Sequence, residues 1–320
     1  MSQDPRKNLT ILLFSAHPPI DSEIMAKWLQ MGHTVYKISA AVGWDNEYSD
    51  LDKRVLEMIP KSKPDVIVCG SLLDAYFALL LKLLKKWIGT KISFIHWWFP
   101  PKNPLLYFVR NISVCEYERR YLRSLLRINS GVVYCPVDVE HFRALPVPKR
   151  KRAITIGNGF KTRSIMGYDH LLKIITTIHN RSPDIELSVF GINNPSDFPD
   201  YVEVRALKKE ELLVEINKAS CVFFTTTKNL IMNSLQIAMA AESNVVAFDL
   251  EPLKEVIEDG VSGYLIKLGE DDVFANRVIE VSGNYNREMG ERARQSIVNK
   301  CESGLVAGKI LDLTINRKNL

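Results

Sequence analysis

The sequence predicts an α/β protein of two domains, each with a mainly parallel sheet covered by helices on both faces. The chain has 320 residues, which is long for one hydrophobic core and typical of two domains of roughly 150 residues each. Apolar strand-like runs alternate with helical segments, and the alternation starts again after ALPVPKRKR, residues 144–152. We therefore expect an N-terminal domain over residues 1–145 and a C-terminal domain over residues 146–320.

The first half begins with LTILLFS at residues 9–15, a continuous apolar run as in a strand buried on both faces. The helix EIMAKWLQMG follows, with Ser22 as its expected N-cap and Gly32 at its end. A second helix is predicted over residues 71–87. The further strands predicted in this half are TVYKIS, DVIVCG, KISFIHW and GVVYCPV.

The second half repeats this order. Its predicted strands are AITIG, IELSVFG, VEVRA, CVFFTT, NVVAF and GYLIK. Its predicted helices are DHLLKIITTIH, EELLVEINK, residues 234–241 with Ser234 as N-cap, PLKEVIEDG and two closing helices. Two prolines and the basic run KRKR at residues 149–152 favour a solvated hinge between the halves over a nucleic-acid or anionic-lipid site.

Composition excludes several classes of protein. Apolar residues make up 46% and charged residues 25%, which fits neither a disordered nor a fibrous chain. The net charge of +5 suits an anionic small ligand or a membrane surface, and nucleic acid is an unlikely partner. The five cysteines form no CxxC pair and the N-terminus is polar, so we expect reduced thiols in a cytoplasmic protein.

Familiar motifs for phosphate and metal chemistry are absent. GNGFKTRS, from residue 157, lacks the GK pair of a phosphate loop and the final glycine of GxGxxG. The pair Asp50 and Asp52 opens a predicted helix, so we interpret it as a helix N-terminus and predict no metal site.

Four candidate sites remain, two of them after strands of the first half. His17 follows the first strand and could act as an acid, a base or a substrate contact, or belong to a surface loop stiffened by prolines. His96 ends another strand and could donate to a hydroxyl or phosphate. Trp97, Trp98 and Phe99 could stack on a sugar ring, or pack in the core or at a membrane interface.

The other two sites lie in the second half. A glycine-flanked loop after AITIG carries Asn158, Gly159, Lys161 and Arg163, which could bind a diphosphate or form a solvated loop. A polar group surrounds the start of the helix at 234: Lys228, Asn229, Asn233, Ser234 and Gln236. Helix N-termini placed in this way often hold anions.

Residues 72–110 are predicted to lie on a membrane surface without spanning the bilayer. Lysines interleave with leucines there, and Trp87, Trp97 and Trp98 suit an interface.

Five segments, in order along the chain, match segments of one known family. MGHTV from residue 31 is similar to "rGHeV", and SVCEYERRYL from residue 113 to "vSeyxrrxL". VVYCPVDVEHF from residue 132 resembles the domain-joining "pNGVDxxxF". AMAAESNVVAFDLEPLKEVIEDGVSGYLI from residue 238 resembles "AMAcGvPVVasdvgGipEvIedGvnGlLv", and MGERARQSIV from residue 289 resembles the penultimate helix. By these segments the chain resembles the retaining GT-B glycosyltransferases of the group 1 type, which use nucleotide sugars. The resemblance implies two Rossmann-like domains with a ligand cleft between them.

The sequence departs from the family at the donor site. The two glutamates of the family's Glu-x7-Glu motif fall at Asn229 and Ile237, and its paired Arg and Lys fall at Asn158 and Met166. Lys161 and Arg163 are nearby substitutes for the latter pair, and Gln236 is a candidate substitute for the lost ribose contact, worth roughly 1.5–3 kcal/mol.

The resemblance implies transfer of a sugar from a nucleotide-sugar donor to a hydroxyl acceptor, with neither a metal nor another cofactor. Lys161 and Arg163 would neutralise the leaving diphosphate. His96, which aligns with a strand-end histidine of the family, would contact the donor sugar, and His17 the acceptor.

The acceptor could be a carbohydrate, a lipid-linked molecule or a protein. Two alternatives stay open. One is a non-catalytic GT-B binding protein or partner subunit of an active transferase. The other is a different GT-B enzyme, such as a sugar-nucleotide epimerase or a DNA glucosyltransferase.

Overall fold

The computed structural model describes residues 8–15, 18–39, 61–96, 103–157, 167–191, 197–229 and 233–316. The chain divides into two compact units. The N-terminal unit comprises Met1–Pro136 and Cys301–Leu320, and the C-terminal unit comprises Val137–Lys300. Each unit contains one six-stranded sheet whose neighbouring strands are all parallel, which confirms the α/β class.

The strands are apolar and mostly buried. They are β1 Thr10–Ser15, β2 Thr34–Ser39, β3 Val66–Cys69, β4 Lys91–His96, β5 Arg110–Ser113, β6 Ser130–Val132, β7 Arg150–Ile156, β8 Glu186–Phe190, β9 Val202–Arg205, β10 Ala219–Phe224, β11 Asn244–Phe248 and β12 Tyr264–Ile266. The first sheet has the order β2-β1-β3-β4-β5-β6, and the second has the order β12-β11-β10-β7-β8-β9.

Helices connect the strands. They are α1 Pro18–Gln30, α2 Leu72–Leu84, α3 Glu116–Tyr121, α4 Tyr168–Arg181, α5 Lys209–Lys218, α6 Asn233–Ala240, α7 Asp271–Gly283, α8 Arg287–Cys301 and α9 Ser303–Ile315. Short 3₁₀ turns lie at Pro104–Tyr107 and Leu253–Glu255. Among the described residues, no helix is both long and apolar enough to cross a bilayer.

The last helix belongs to the first unit, which differs from the predicted C-terminal domain over residues 146–320. The indole Nε1 of Trp28 in α1 donates to the Ala307 carbonyl of α9 at 2.9 Å, and Trp28 is fully buried. Ile310 and Leu311 of α9 join the same apolar core as Ile11 of β1. An apolar face predicts that a helix is covered, but it does not say which sheet covers it.

The predicted boundary at residue 145 also differs from the structure, because residues 137–145 are held by the C-terminal unit. Asn217 at the end of α5 accepts from the backbone N–H of Leu145 at 2.8 Å and donates to the Arg143 carbonyl at 3.0 Å. Arg294 of α8 donates to the carbonyls of Val139 and Phe142, at 2.9 and 3.0 Å. These bonds tie the segment to α5 and α8 before β7 begins.

The basic run KRKR is not a solvated hinge, because β7 already includes Arg150. Arg152 is 5% exposed, and its guanidinium pairs with Glu215 and Glu203 and donates to Ser188 Oγ at 2.8 Å. Burial also lowers the pKa of Lys149 to about 8, and its ammonium lies 4.7 Å from the centre of the Tyr285 ring. Side chains of α5, β8 and β9 therefore cover the charge of Arg152, whereas Arg150 and Lys151 stay exposed.

Several smaller predictions are also corrected. Helix α1 begins four residues before Ser22, so Ser22 is not its N-cap. The segment PLKEVIEDG forms only the 3₁₀ turn at Leu253–Glu255, and three helices close the chain where two were predicted. Trp87 is 5% exposed and packs in the core of the N-terminal unit, so it is not an interface anchor. Strand β5 has no counterpart among the predicted elements.

Candidate functional site

Each sheet has one position where the strand order reverses. In the N-terminal unit the reversal lies between β1 and β3, and in the C-terminal unit it lies between β7 and β10. In open parallel sheets, ligands bind in the crevice at the carboxyl ends of the two strands that flank such a reversal. The segments that follow these four strands are therefore the places to look for a site.

In the C-terminal unit, one flank of the crevice is the loop after β7. It carries the predicted residues Asn158, Gly159, Lys161 and Arg163, which lie outside the described residues. Helix α4 begins directly after that loop, from Gly167 at φ +60°. A Cβ placed on Gly167 would meet the Thr225 carbonyl oxygen, in the segment that follows β10, at 2.0 Å. The two flanks of the crevice thus meet at a point where only a glycine fits.

We expect Gly167→Ala to destabilise the C-terminal unit by more than backbone strain alone. Gly260 has a similar φ, +74°, but a Cβ there would meet nothing within 4 Å, so Gly260→Ala is a matched control. The left-handed conformation costs a non-glycine residue about 1–2 kcal/mol, and overpacking adds about 1–3 kcal/mol. Urea unfolding followed by far-UV circular dichroism should show the larger loss for Gly167→Ala. Equal losses in the two variants would contradict the close approach.

The other flank is the polar segment after β10. Thr225 and Thr226 are buried, and the backbone N–H of Lys228 lies 3.4 Å from Thr226 Oγ1. The side chain of Lys228 is exposed, and those of Asn229 and Asn233 are half-buried. Because β7 and β10 are parallel neighbours, the end of β10 that leads to these residues lies at the same sheet edge as the end of β7.

Two further predicted residues face inward. Helix α6 begins at Asn233, so Ser234 lies inside the helix and is not its N-cap. Ser234 is 4% exposed, and no described residue is hydrogen-bonded to its Oγ. Gln236 is fully buried, which argues against direct contact between its amide and a ribose. Three polar residues, Asn233, Ser234 and Gln236, predict an exposed polar helix start. The position of α6 in the core decides which of the three side chains reaches solvent.

In the N-terminal unit, His96 ends β4 and is fully buried. Asn111 of β5 donates its Nδ2 to the carbonyls of Leu106 and Val109, so its Oδ1 is the acceptor that faces His96 Nε2 at 2.8 Å. The imidazole therefore carries its proton on Nε2. Burial lowers the pKa of His96 to about 4, against the smaller opposing effect of the bond with Asn111.

The protonation state and the free hydrogen-bonding capacity of His96 follow from that arrangement. The ring is neutral near pH 7, and its one N–H is used by Asn111, so the donation to a hydroxyl or phosphate expected from the sequence is not available. No described residue is hydrogen-bonded to its Nδ1, which is left as an acceptor for a hydroxyl. His17, Trp97, Trp98 and Phe99 lie outside the described residues.

A histidine and an aspartate that the sequence analysis missed lie beside the crevice of the C-terminal unit. His170 sits in the first turn of α4, and its Nδ1 lies 2.6 Å from Asp271 Oδ1 at the start of α7. Lys173 reaches the other oxygen of Asp271 at 3.1 Å. Asp271 thereby orients the ring and leaves Nε2 for another group. A histidine one turn after a glycine-flanked loop was the available sequence signal.

The C-terminal unit also carries a sequence match to a known family. Residues 150–284 match the family model of the glycosyl transferases group 1. The matched region starts with β7 and extends just beyond α7, so it contains both flanks of the crevice.

Other proteins resemble parts or all of the chain. EpsD of Bacillus subtilis (strain 168), named as a glycosyltransferase, is 31% identical over 96 residues, which are 29% of this chain and 24% of EpsD. The aligned segment thus spans about a quarter of that relative. A crystal structure of a glycosyltransferase from Rickettsia africae ESF-5 has a TM-score of 0.77 and 14% identity, over 96% of this chain and 98% of that chain. Alr3699/HepE of Anabaena, crystallised with UDP-glucose, has a TM-score of 0.69 and 11% identity, over 95% of this chain and 99% of its own.

These likenesses confirm the GT-B fold, with two Rossmann-like domains, for this chain. Asn229 and Ile237, which the sequence resemblance places at the positions of the family's two glutamates, carry no carboxylate.

Proposed function

We propose that this protein transfers a sugar from a nucleoside diphosphate sugar to a hydroxyl acceptor, without a metal and with retention of configuration. The match of residues 150–284 to the group 1 glycosyltransferases carries the proposal. The crevice between β7 and β10 supports it, because both of its flanks lie within the matched region. The acceptor is a carbohydrate, a lipid-linked molecule or a protein.

In the proposed reaction the leaving diphosphate is neutralised by Lys161 and Arg163. They are the basic residues of the loop after β7, and charge developing on a leaving group is the main target of such catalysis. Asn158 and Gly159 contribute backbone amides, and Lys228 adds a cation from the opposite flank. Asn229 and Asn233 line the donor, with Ser234 and Gln236 behind them. His17 serves the acceptor side.

His96 has a restricted role in this proposal. Because Asn111 accepts its only N–H, His96 contributes Nδ1 as an acceptor for a hydroxyl of the donor sugar. It supplies no positive charge to the diphosphate near pH 7, since burial lowers its pKa to about 4. The positive charge needed by the leaving group must come from lysine and arginine side chains.

We expect Arg163→Ala and Lys161→Ala to weaken nucleotide binding more than Asn229→Ala does. Charge-assisted contacts to phosphate are worth about 1.5–3 kcal/mol and neutral ones about 1 kcal/mol. Calorimetry with UDP and UDP-glucose should therefore show roughly ten- to hundredfold weaker binding for the two basic-residue variants, and roughly fivefold for Asn229→Ala. If Asn229→Ala weakened binding most, the diphosphate would lie on Lys228 and the α6 N-terminus.

A second candidate function is a non-catalytic binding or partner subunit. The observation that favours it is the presence of Asn229 and Ile237 where the family has carboxylates. If the unmodified protein bound no nucleoside diphosphate, in a thermal-shift screen over several bases and sugars, this candidate would replace the transferase.

A further inference from the structure

Helix α2 is apolar on two opposite sides, and only one of them is buried. Ala75, Ala78 and Leu81 face the core of the N-terminal unit. Tyr76, Leu80, Leu83 and Leu84, spaced at i, i+4, i+7 and i+8, are 60%, 38%, 75% and 70% exposed. Helical spacing places these four side chains on one stripe. Ile88, in the turn that follows, is 82% exposed.

A second exposed apolar pair lies at the 3₁₀ turn that precedes β5. Tyr107 and Phe108, at the end of the 3₁₀ turn Pro104–Tyr107, are 66% and 74% exposed. They line a cavity of about 520 Å³ together with Lys82 of α2, Lys91 of β4 and Arg110 of β5. The cavity joins α2, the turn after it and the 3₁₀ turn into one surface, which we name the basic apolar face: the exposed side of α2 with residues 85–91 and 104–110.

The charged residues of this region are all basic. Between Asp74 and Glu116 the sequence has no acidic residue and six basic ones: Lys82, Lys85, Lys86, Lys91, Lys102 and Arg110. The formal net charge of all 320 residues is +5, so the charge of this segment alone, +6, exceeds that of the whole chain. Lys85 and Lys86 directly follow the last residue of α2 and Lys91 begins β4, and all three side chains are exposed.

The basic apolar face is at the sheet edge opposite to the candidate site of this unit. Lys91 and Arg110 are the first residues of β4 and β5, whereas His96 is the last residue of β4. A surface bound at the amino ends of these strands therefore leaves their carboxyl ends open.

We propose that the basic apolar face docks on an anionic lipid bilayer. Leu83, Leu84, Ile88 and Phe108 enter the interfacial layer, and Lys85, Lys86 and Lys91 meet the lipid phosphates, with the cavity at Lys91 accepting one headgroup phosphate. Nucleic acid would use the cations but not the seven exposed aliphatic and aromatic side chains of this face. An apolar protein partner would leave the cations without partners. A bilayer surface combines both chemistries. The proposal goes beyond sugar transfer and does not depend on it.

Vesicle co-sedimentation of the full chain tests the proposal. We expect the protein to sediment with phosphatidylcholine vesicles that contain about a third phosphatidylglycerol, and to stay in solution with pure phosphatidylcholine, because the cations need anionic lipid. Leu83→Gln with Phe108→Gln should lower the partition coefficient at least tenfold. Lys85→Gln with Lys86→Gln should lower it by up to about 25-fold, at roughly fivefold per charge.

Matched controls replace exposed apolar side chains and exposed lysines outside the basic apolar face. Leu268→Gln with Val273→Gln replaces side chains that are 42% and 50% exposed in the C-terminal unit, and Lys267→Gln with Lys309→Gln removes two exposed lysines. Both controls should stay within twofold of the unmodified protein.

Three results would overturn the proposal. One is the absence of sedimentation with anionic vesicles at low salt. Another is an equal loss in the control variants. The last is a combination of two findings: the unmodified protein does not bind vesicles, and it forms a dimer in size-exclusion chromatography that becomes a monomer with Leu83→Gln and Phe108→Gln. A second copy of the chain would then occupy this face.

Discussion

Arg152→Met should destabilise the C-terminal unit by roughly 3 kcal/mol. Loss of one partner of a buried ion pair costs about 3–5 kcal/mol, because the other charge is left uncompensated. The lower end applies here, since Glu215 keeps Lys218 at 3.1 Å and Glu203 keeps Arg205 at 2.8 Å. Methionine retains the apolar stem that the arginine buries, so the loss reports the guanidinium and its bonds.

Arg150→Met is the matched control for this variant. Arg150 begins the same strand, but its side chain is exposed, so its replacement should change stability by no more than about 0.5 kcal/mol. The five tryptophans all precede residue 99, so their fluorescence reports the N-terminal unit alone. Hydrogen exchange of the β7 and β8 amides in increasing urea isolates the C-terminal unit. If Arg152→Met and Arg150→Met were equally stable, the cluster would not be a source of stability.

The Arg152 cluster also makes the C-terminal unit sensitive to acid. Burial raises the pKa of Glu215, but the hydrogen bond from Lys218 and the charge of Arg152 outweigh it, so the net pKa is lowered. A carboxyl whose folded pKa lies below its unfolded value contributes stability above the unfolded pKa and loses it as the pH falls. The contribution of Glu215 should therefore fade below about pH 4.5.

Glu118→Gln should stabilise the N-terminal unit, and increasingly so as the pH rises from 5 to 8. Glu118 of α3 is 2% exposed, and burial raises its pKa to about 8, against the weaker effect of the Val114 N–H that its carboxyl accepts at 2.9 Å. Between the unfolded value of 4.5 and about 8, the unfolded chain has released a proton that the folded chain keeps. The unfolded state then binds fewer protons, so stability falls as the pH rises.

The size of the effect follows from the pKa difference. At about 1.4 kcal/mol per unit, the unmodified protein should lose roughly 4 kcal/mol relative to Glu118→Gln between pH 5 and pH 8. Urea unfolding followed by tryptophan fluorescence measures this at both pH values. Glu118→Met provides the control, because it removes the same titrating group but cannot accept the Val114 N–H. Its unfolding free energy should depend on pH as that of Glu118→Gln does, and should be about 1 kcal/mol lower throughout. Parallel curves for the unmodified protein and Glu118→Gln would contradict a buried neutral carboxyl.

Much of the fold could be predicted from local pattern alone. Runs such as LTILLFS and CVFFTT became β1 and β10, and NVVAF became β11, because a strand buried on both faces must be apolar throughout. The restart after residue 152 predicted a second sheet for the same reason. The five segments that resemble group 1 glycosyltransferases fall on strands and helices of both units, among them β2, α3, β11 and α8, and on the turns beside them.

Other features depended on contacts between residues far apart in the chain. Arg152 is buried because Ser188, Glu203 and Glu215 lie 36, 51 and 63 residues away on other elements. His96 is neutral because burial in the folded unit lowers its pKa, and Asn111 of the neighbouring strand accepts its one N–H. Helix α9 covers the first sheet although 164 residues of another unit precede it. Sequence periodicity determines which side of a helix or strand is apolar. The partner that covers that side, and hence the charge state of a buried group, is decided only when the tertiary structure sets its local dielectric and its hydrogen bonds.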